Sequence, residues 1–99
     1  MRAMTPESSR RVLIVEDEPD VARLIALHVA ELPAAAHIES DGREGLRLAL
    51  AQGPWDLLVL DLNLPGLGGL EVCRAVRAKG YDVPILMLTG LDDETSIAR

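Results

Sequence analysis

Four side chains in this sequence can do chemistry together, and each stands just past a hydrophobic run. Glu16 and Asp17 follow RVLIV, Asp61 follows LLVL, and Thr89 follows PILML. In an open α/β sheet the ligand crevice lies outside the carboxyl ends of the strands, so residues in such places converge even when they are distant along the chain. Three carboxylates supply hard oxygen ligands for a divalent cation. A hydroxyl at the same rim can donate a hydrogen bond to a phosphoryl oxygen. The grouping points to a cation and a phosphoryl group held at one edge of a sheet.

The elements that must position these residues are legible from the spacing of apolar side chains. Short β-branched or Leu-rich runs alternate with helical patterns, which signals βαβ units and a parallel sheet. Residues 12–15 form the first strand, nearly unbroken in apolar character as a strand covered on both faces should be. Pro19 and Asp20 open a helix, since proline is tolerated in the first turn and an acid is favourable at the positive end of the helix dipole. Val21, Leu24, Ile25, His28, Val29 and Leu32 recur at helical spacing and predict its buried stripe, and Pro33 ends it. A short Ala-rich strand over 36–39 follows. Asp41, with Glu44 three residues on, has the form of a helix cap. Leu46, Ala49 and Leu50 are expected on that helix's inner face, and Gly53-Pro54 closes it. Residues 57–60 read as a buried strand. The turn-rich LNLPGLGG then leads into a helix over 69–79, closed by Gly80, with Leu70, Cys73 and Val76 as its apolar stripe. Residues 84–88 make a fourth strand, and Asp92 or Asp93 opens another helix.

Composition bounds the function classes. With 99 residues, of which 48% are hydrophobic, the chain fits one domain with a modest core. A net charge of −6 argues against contact with nucleic acid or an anionic membrane through this segment's own charge. Any DNA contact must then come from residues beyond it. Cys73 is the sole cysteine, so no internal disulfide is possible and a reducing compartment is expected. No apolar stretch approaches the roughly 20 residues needed to span a bilayer. The polar MRAMTPESSR lacks the apolar core of a signal peptide. Residues 1–10 are therefore expected to be a flexible tail on a cytoplasmic protein, and residues 11–99 a single domain.

The segments VEDEPD, LDLNLPGLGGLEVCRAVR and PILMLTG, in this order and at these separations, resemble the receiver domain of two-component response regulators. The resemblance runs from about Arg11 to the last residue. It implies a flavodoxin-like, doubly wound parallel sheet of order 2-1-3-4. Asp61 then corresponds to the phosphoacceptor, which attacks the phosphorus of a phosphohistidine on a sensor histidine kinase and becomes an aspartyl phosphate. Glu16 and Asp17 correspond to the acidic pair that binds Mg²⁺, the second directly and the first usually through water. The backbone carbonyl of Asn63 completes the protein's share of the metal shell, and Thr89 matches the hydroxyl that stabilises the phosphoryl group. The small Gly90 leaves room beside it. A cation is needed because like charges about 4 Å apart repel by about 4 kcal/mol at an effective dielectric of about 20.

Other readings of the same residues fare worse. DLNLPG begins like a calcium loop, but Pro65 replaces the third oxygen ligand and Val72 stands where a glutamate is required. GLGGLE resembles a dinucleotide fingerprint, but Glu71 replaces the third glycine. His28 and His37 have no second ligand at metal spacing, and Cys73 lies on an apolar stripe as a core residue does. Phosphatases with an aspartyl nucleophile would want a second acid where Asn63 stands, together with larger insertions, so no enzyme is expected. A receiver-like binding module that is never phosphorylated is the other alternative. The intact Glu16, Asp17, Asp61 and Thr89 argue against it, because such a module has no reason to keep a repulsive acid cluster.

One family feature has no counterpart in the sequence. Receivers carry a lysine at the end of a fifth strand, whereas the only lysine here is Lys79, on the predicted third helix. The sequence is therefore expected to be a C-terminally truncated receiver, with the fifth strand and last helix absent. Without them the fourth strand is an open edge with unpaired amides and carbonyls, which templates pairing with another chain. The 99-residue chain is expected to sediment as a dimer or larger oligomer through that edge, or else to fold poorly. A compact monomer that melts cooperatively would refute this.

Overall fold

The computed structural model describes residues 10–88. Thr89, and the helix expected after it, lie outside the described residues. In chain order the elements are β1 (Arg11–Val15), α1 (Pro19–Ala30), β2 (Ala35–Glu39), α2 (Gly42–Ala51), β3 (Leu57–Asp61), α3 (Gly69–Ala78) and β4 (Ile85–Leu88). All neighbouring strands are parallel and their order is β2-β1-β3-β4. This is the doubly wound arrangement expected for the flavodoxin-like fold.

The two faces of the sheet are covered separately. Leu13 and Val15 of β1 and Leu58 and Leu60 of β3 pack with Leu48 and Ala49 of α2 and with Val72 and Val76 of α3. Val12, Ile14 and Val59, which alternate with them, pack with Val29 of α1. Successive side chains of a strand point to opposite faces, so α1 lies on one side of the sheet and α2 with α3 on the other. Burial on both faces explains why β1 and β3 read as unbroken apolar runs. β2, at the sheet edge, is mostly exposed, which accounts for its weak Ala-rich signal.

The predicted cap of α2 is present: the Asp41 carboxylate accepts a hydrogen bond from the Glu44 amide at 3.0 Å. At the amino ends of the strands, Arg11 stacks on Trp55 with Cζ 4.1 Å from the ring centroid. It also donates to the carbonyls of Gln52 and Pro54. The Tyr81 hydroxyl closes the same corner, accepting from the Trp55 amide and donating to the Trp55 carbonyl. These bonds pin the turn between α2 and β3.

Helix rotation departs from the predicted stripes. In α1 the buried residues are Ala22 and Val29, with Ile25 and Ala26 partly buried, while Val21, Leu24 and His28, and Leu32 just past the helix, are exposed. The small Ala22 meets the sheet, and the larger residues beside it are left on the flanks. In α2, Gly45, Leu48 and Ala49 are buried while Leu50 is exposed. The close fit of Gly45 against the Val15 side chain turns that helix. In α3, Val72 and Val76 carry the contact, and Leu70, expected in the stripe, is 47% exposed.

These rotations predict opposite outcomes for two truncations on one helix. Val72→Ala should cost about 2 kcal/mol of stability, from two buried methyl-sized groups and the cavity they leave. Leu70→Ala should change stability by less than about 0.5 kcal/mol. Urea unfolding of the two variants measures both values.

Candidate functional site at the carboxyl rim of the sheet

Glu16 and Asp61 are brought together by strand register. Val15 of β1 is aligned with Leu60 of β3, so the next residue on each chain stands at the same rim. The alternation that directs Ile14 and Val59 to the α1 side carries Glu16 and Asp61 to that side as well. Glu16 prolongs the β1–β2 ladder, its amide donating to the Glu39 carbonyl at 2.9 Å. Asp17 follows directly. One carboxylate oxygen from each of Glu16, Asp17 and Asp61 lies within 4.8 Å of the others. The three acids predicted to converge do so.

Their surroundings differ. Glu16 is only 5% exposed, the one buried charged side chain among the described residues, whereas Asp17 is exposed and Asp61 half-buried. Burial, above all, holds the Glu16 carboxyl above its ordinary value, and a hydrogen bond from the Glu18 amide opposes this in part. The negative charges of Asp61 and Asp17 raise it further. Among the described residues no basic side chain relieves the crowding: the ion pairs there are Arg23 with Asp20 and Arg47 with Glu44, both on exposed helix surfaces.

This donor set fits a small hard cation. Octahedral Mg²⁺ with ligands at about 2.1 Å places ligand oxygens about 3 to 4 Å apart, close to the spread of the three carboxylates. Carboxylates with no counter-charge among the described residues gain most from such an ion. Asn63, also expected in the shell, lies in the loop directly after β3, and its amide donates to Asp61 Oδ1 at 3.3 Å. Gly69, the first residue of α3, packs against the base of that loop. A Cβ there would stand 2.2 Å from the Asp61 carbonyl oxygen, so only glycine allows the helix to begin so close to the acid. Thr89 lies outside the described residues. β4 does pair Leu88 with Asp61, so the chain leaves the described fold beside this rim.

Glu39 is a participant that spacing did not reveal. Its carbonyl receives the Glu16 amide, and its carboxylate accepts from the amides of Ser40 and Asp41. An acid at the carboxyl end of the second strand was the available signal, and that strand was the weakest in the sequence.

Comparison with known proteins agrees with this geometry. The family model described as "Response regulator receiver domain" matches residues 12–99. Among curated relatives, the response regulator ArlR of Staphylococcus epidermidis is 46% identical over 78 residues, covering 79% of this chain and 35% of the relative. The alkaline phosphatase synthesis transcriptional regulatory protein SphR of Synechococcus elongatus is 39% identical over 101 residues, covering 94% of this chain and 38% of the relative. The chain thus spans little more than a third of these relatives. Among solved structures, the response regulator TrrA of Thermotoga maritima, in complex with Mg²⁺ and BeF, superposes with a TM-score of 0.75 at 33% identity, covering 90% of this chain and 80% of that one. The receiver domain of a Pseudomonas aeruginosa sensor histidine kinase, with a magnesium ion coordinated in its active site cleft, gives a TM-score of 0.80 at 28% identity, covering 93% and 76%.

The raised pKa of Glu16 has a consequence for stability. The folded protein holds that proton more tightly than the unfolded chain does. The resulting stabilisation is complete below the ordinary glutamate pKa of about 4.3 and is lost as pH rises through the raised value. Glu16→Gln escapes that loss. In Mg²⁺-free buffer its melting temperature should exceed the parent's near pH 7, and the gap should close as the pH falls to about 4. Parallel curves for the two proteins would contradict this.

Proposed function

The chain belongs to the response regulator receiver domain family, and on that footing we propose that Asp61 is its phosphoacceptor, charged from the phosphohistidine of a sensor histidine kinase. A carboxylate oxygen of Asp61 attacks the phosphorus, the P–N bond to the donor imidazole breaks, and a P–O bond to Asp61 forms. The observation that carries this reading is the meeting of Asp61 with Glu16 and Asp17 at the carboxyl rim.

In this reading Asp17, Asp61 and the Asn63 carbonyl hold Mg²⁺ directly, and Glu16 holds it through water. The ion supplies positive charge against which a phosphoryl group can approach three carboxylates. Glu16, fixed by the Glu18 amide, and Asp61, fixed by the end of β3, orient the site before any donor arrives. Thr89 is assigned by its sequence position to a phosphoryl oxygen, as hydrogen-bond donor. The chain is then a phosphoacceptor rather than an enzyme in its own right, acting in the cytoplasm. Its phosphorylation shifts the population between two surface states that an output reads. Contact with DNA, where it occurs, belongs to residues beyond this chain.

Two substitutions test the assignment with a small phosphodonor such as acetyl phosphate. Asp61→Asn should abolish phosphoryl incorporation while leaving the fold intact by circular dichroism. Asp17→Asn should remove most of the Mg²⁺ dependence. Labelling of Asp61→Asn at the parent's level would show that the nucleophile is misassigned, and an unlabelled parent would favour a pure binding module.

A further inference from the structure

We propose that the amino end of α2 is a positioning device for the cation site, with Gly42 setting the loop that carries Asn63. The inference rests on the reading of Asn63 and the three acids as Mg²⁺ ligands, and it extends that reading to residues that touch no metal.

The loop over 62–68 leaves β3 directly after Asp61. It is tied at its ends: the Leu62 amide donates to the Leu88 carbonyl at 3.1 Å, the Gly69 amide to the Leu62 carbonyl at 3.3 Å, and the Gly68 amide to Glu71 Oε1 at 3.2 Å. Its middle rests on α2. The Gly42 amide donates to the Pro65 carbonyl at 3.0 Å, and the same oxygen accepts from the Leu67 amide at 2.9 Å. The approach is so close that a Cβ on Gly42 would stand 1.8 Å from the Leu67 carbonyl oxygen and 2.7 Å from its carbon. Those are backbone atoms, and they cannot turn aside as the end of a flexible side chain can.

The loop meets α2 at a second point. Gly66 has φ +81°, a conformation that favours glycine, and a Cβ there would stand 2.6 Å from Asp41 Oδ1. The other oxygen of the same carboxylate caps α2 through the Glu44 amide. Asp41 also donates its own amide to Glu39 Oε2, and the Glu39 carbonyl accepts the Glu16 amide. One path of close contacts thus runs from Glu16, through the end of β2 and the start of α2, to Pro65, two residues past Asn63. Asp61 and Glu16 are held by strand pairing, whereas Asn63 has no strand to hold it. The amino end of α2 supplies that support, and it does so from the anchor that also receives Glu16.

Groups that orient metal ligands typically change metal affinity by about 10- to 100-fold when altered. The test is direct Mg²⁺ titration by calorimetry on the 99-residue chain, with urea unfolding of each variant in parallel. Gly42→Ala should weaken Mg²⁺ binding about tenfold. Val76→Ala, in the fully buried core at the far end of α3 from the loop, should lose stability while binding Mg²⁺ within about twofold of the parent. Gly66→Ala probes the second contact and should weaken binding like Gly42→Ala, which keeps the test decisive if Gly42→Ala does not fold. Asp17→Asn separates the two layers of the argument. A parent that binds Mg²⁺ and loses it with Asp17→Asn, beside a folded Gly42→Ala or Gly66→Ala of parental affinity, overturns the positioning role alone. Equal weakening by Val76→Ala overturns it too, because the effect would then follow stability. A parent that binds no Mg²⁺ overturns the metal reading and this inference together.

Discussion

The central constraint on this protein is the repulsion among three carboxylates that the parallel ladder forces to one rim. Register between β1 and β3 leaves Glu16 and Asp61 no alternative to being neighbours, and Asp17 adds a third charge within reach of both. Glu16 is buried as well, so the cost of desolvating it adds to the repulsion. Such an arrangement persists only where the surrounding structure over-determines it. The fully buried Leu13, Ile14, Val15, Leu58 and Leu60 provide that, because they lie on the same strands, immediately before the acids.

The strain makes the site responsive. A ligand that binds the folded form but not the unfolded chain stabilises the fold by mass action. The gain is largest where the empty site is least favourable. The Glu16 pKa is raised chiefly by burial and further by the charges of Asp61 and Asp17; a cation at this rim would oppose those charges, and in the proposed reaction it would also neutralise the charge of an incoming phosphoryl group. Under the proposed function, metal dependence and phosphoryl chemistry would both rest on the same three residues.

The two ends of the sheet divide the labour. At the amino end Arg11, Trp55 and Tyr81 close the turn before β3 with a stacked cation and several backbone hydrogen bonds. At the carboxyl end the connections carry the clustered acids, at the end where sheets of this kind bind ligands. The loop after β3 is the longest of these within the described fold. It is held by Glu71 at the start of α3 and by the amino end of α2, so the loop that carries Asn63 is tied down along its length.

Much of this was legible in the residues before any coordinates. The alternation of apolar runs with helical patterns dictated the βαβ order, since a fully covered strand has to be apolar throughout and a helix only along one stripe. Asp41 announced its cap, and the placing of Glu16, Asp17 and Asp61 just past four-residue apolar runs announced the site, because strand ends in such a sheet converge. Helix rotation was not legible. Val21, Leu24, Leu50 and Leu70 fall at helical spacing as well as their buried neighbours do, and the choice between them was made by the close fit of Ala22, Gly45 and Val72 against the sheet. Nor did the sequence disclose that Glu39 receives the Glu16 amide, or that Gly42 lies against Leu67. Periodicity records which side chains avoid water along one element, whereas those contacts join elements 23 or more residues apart, and only packing the chain in three dimensions decides them.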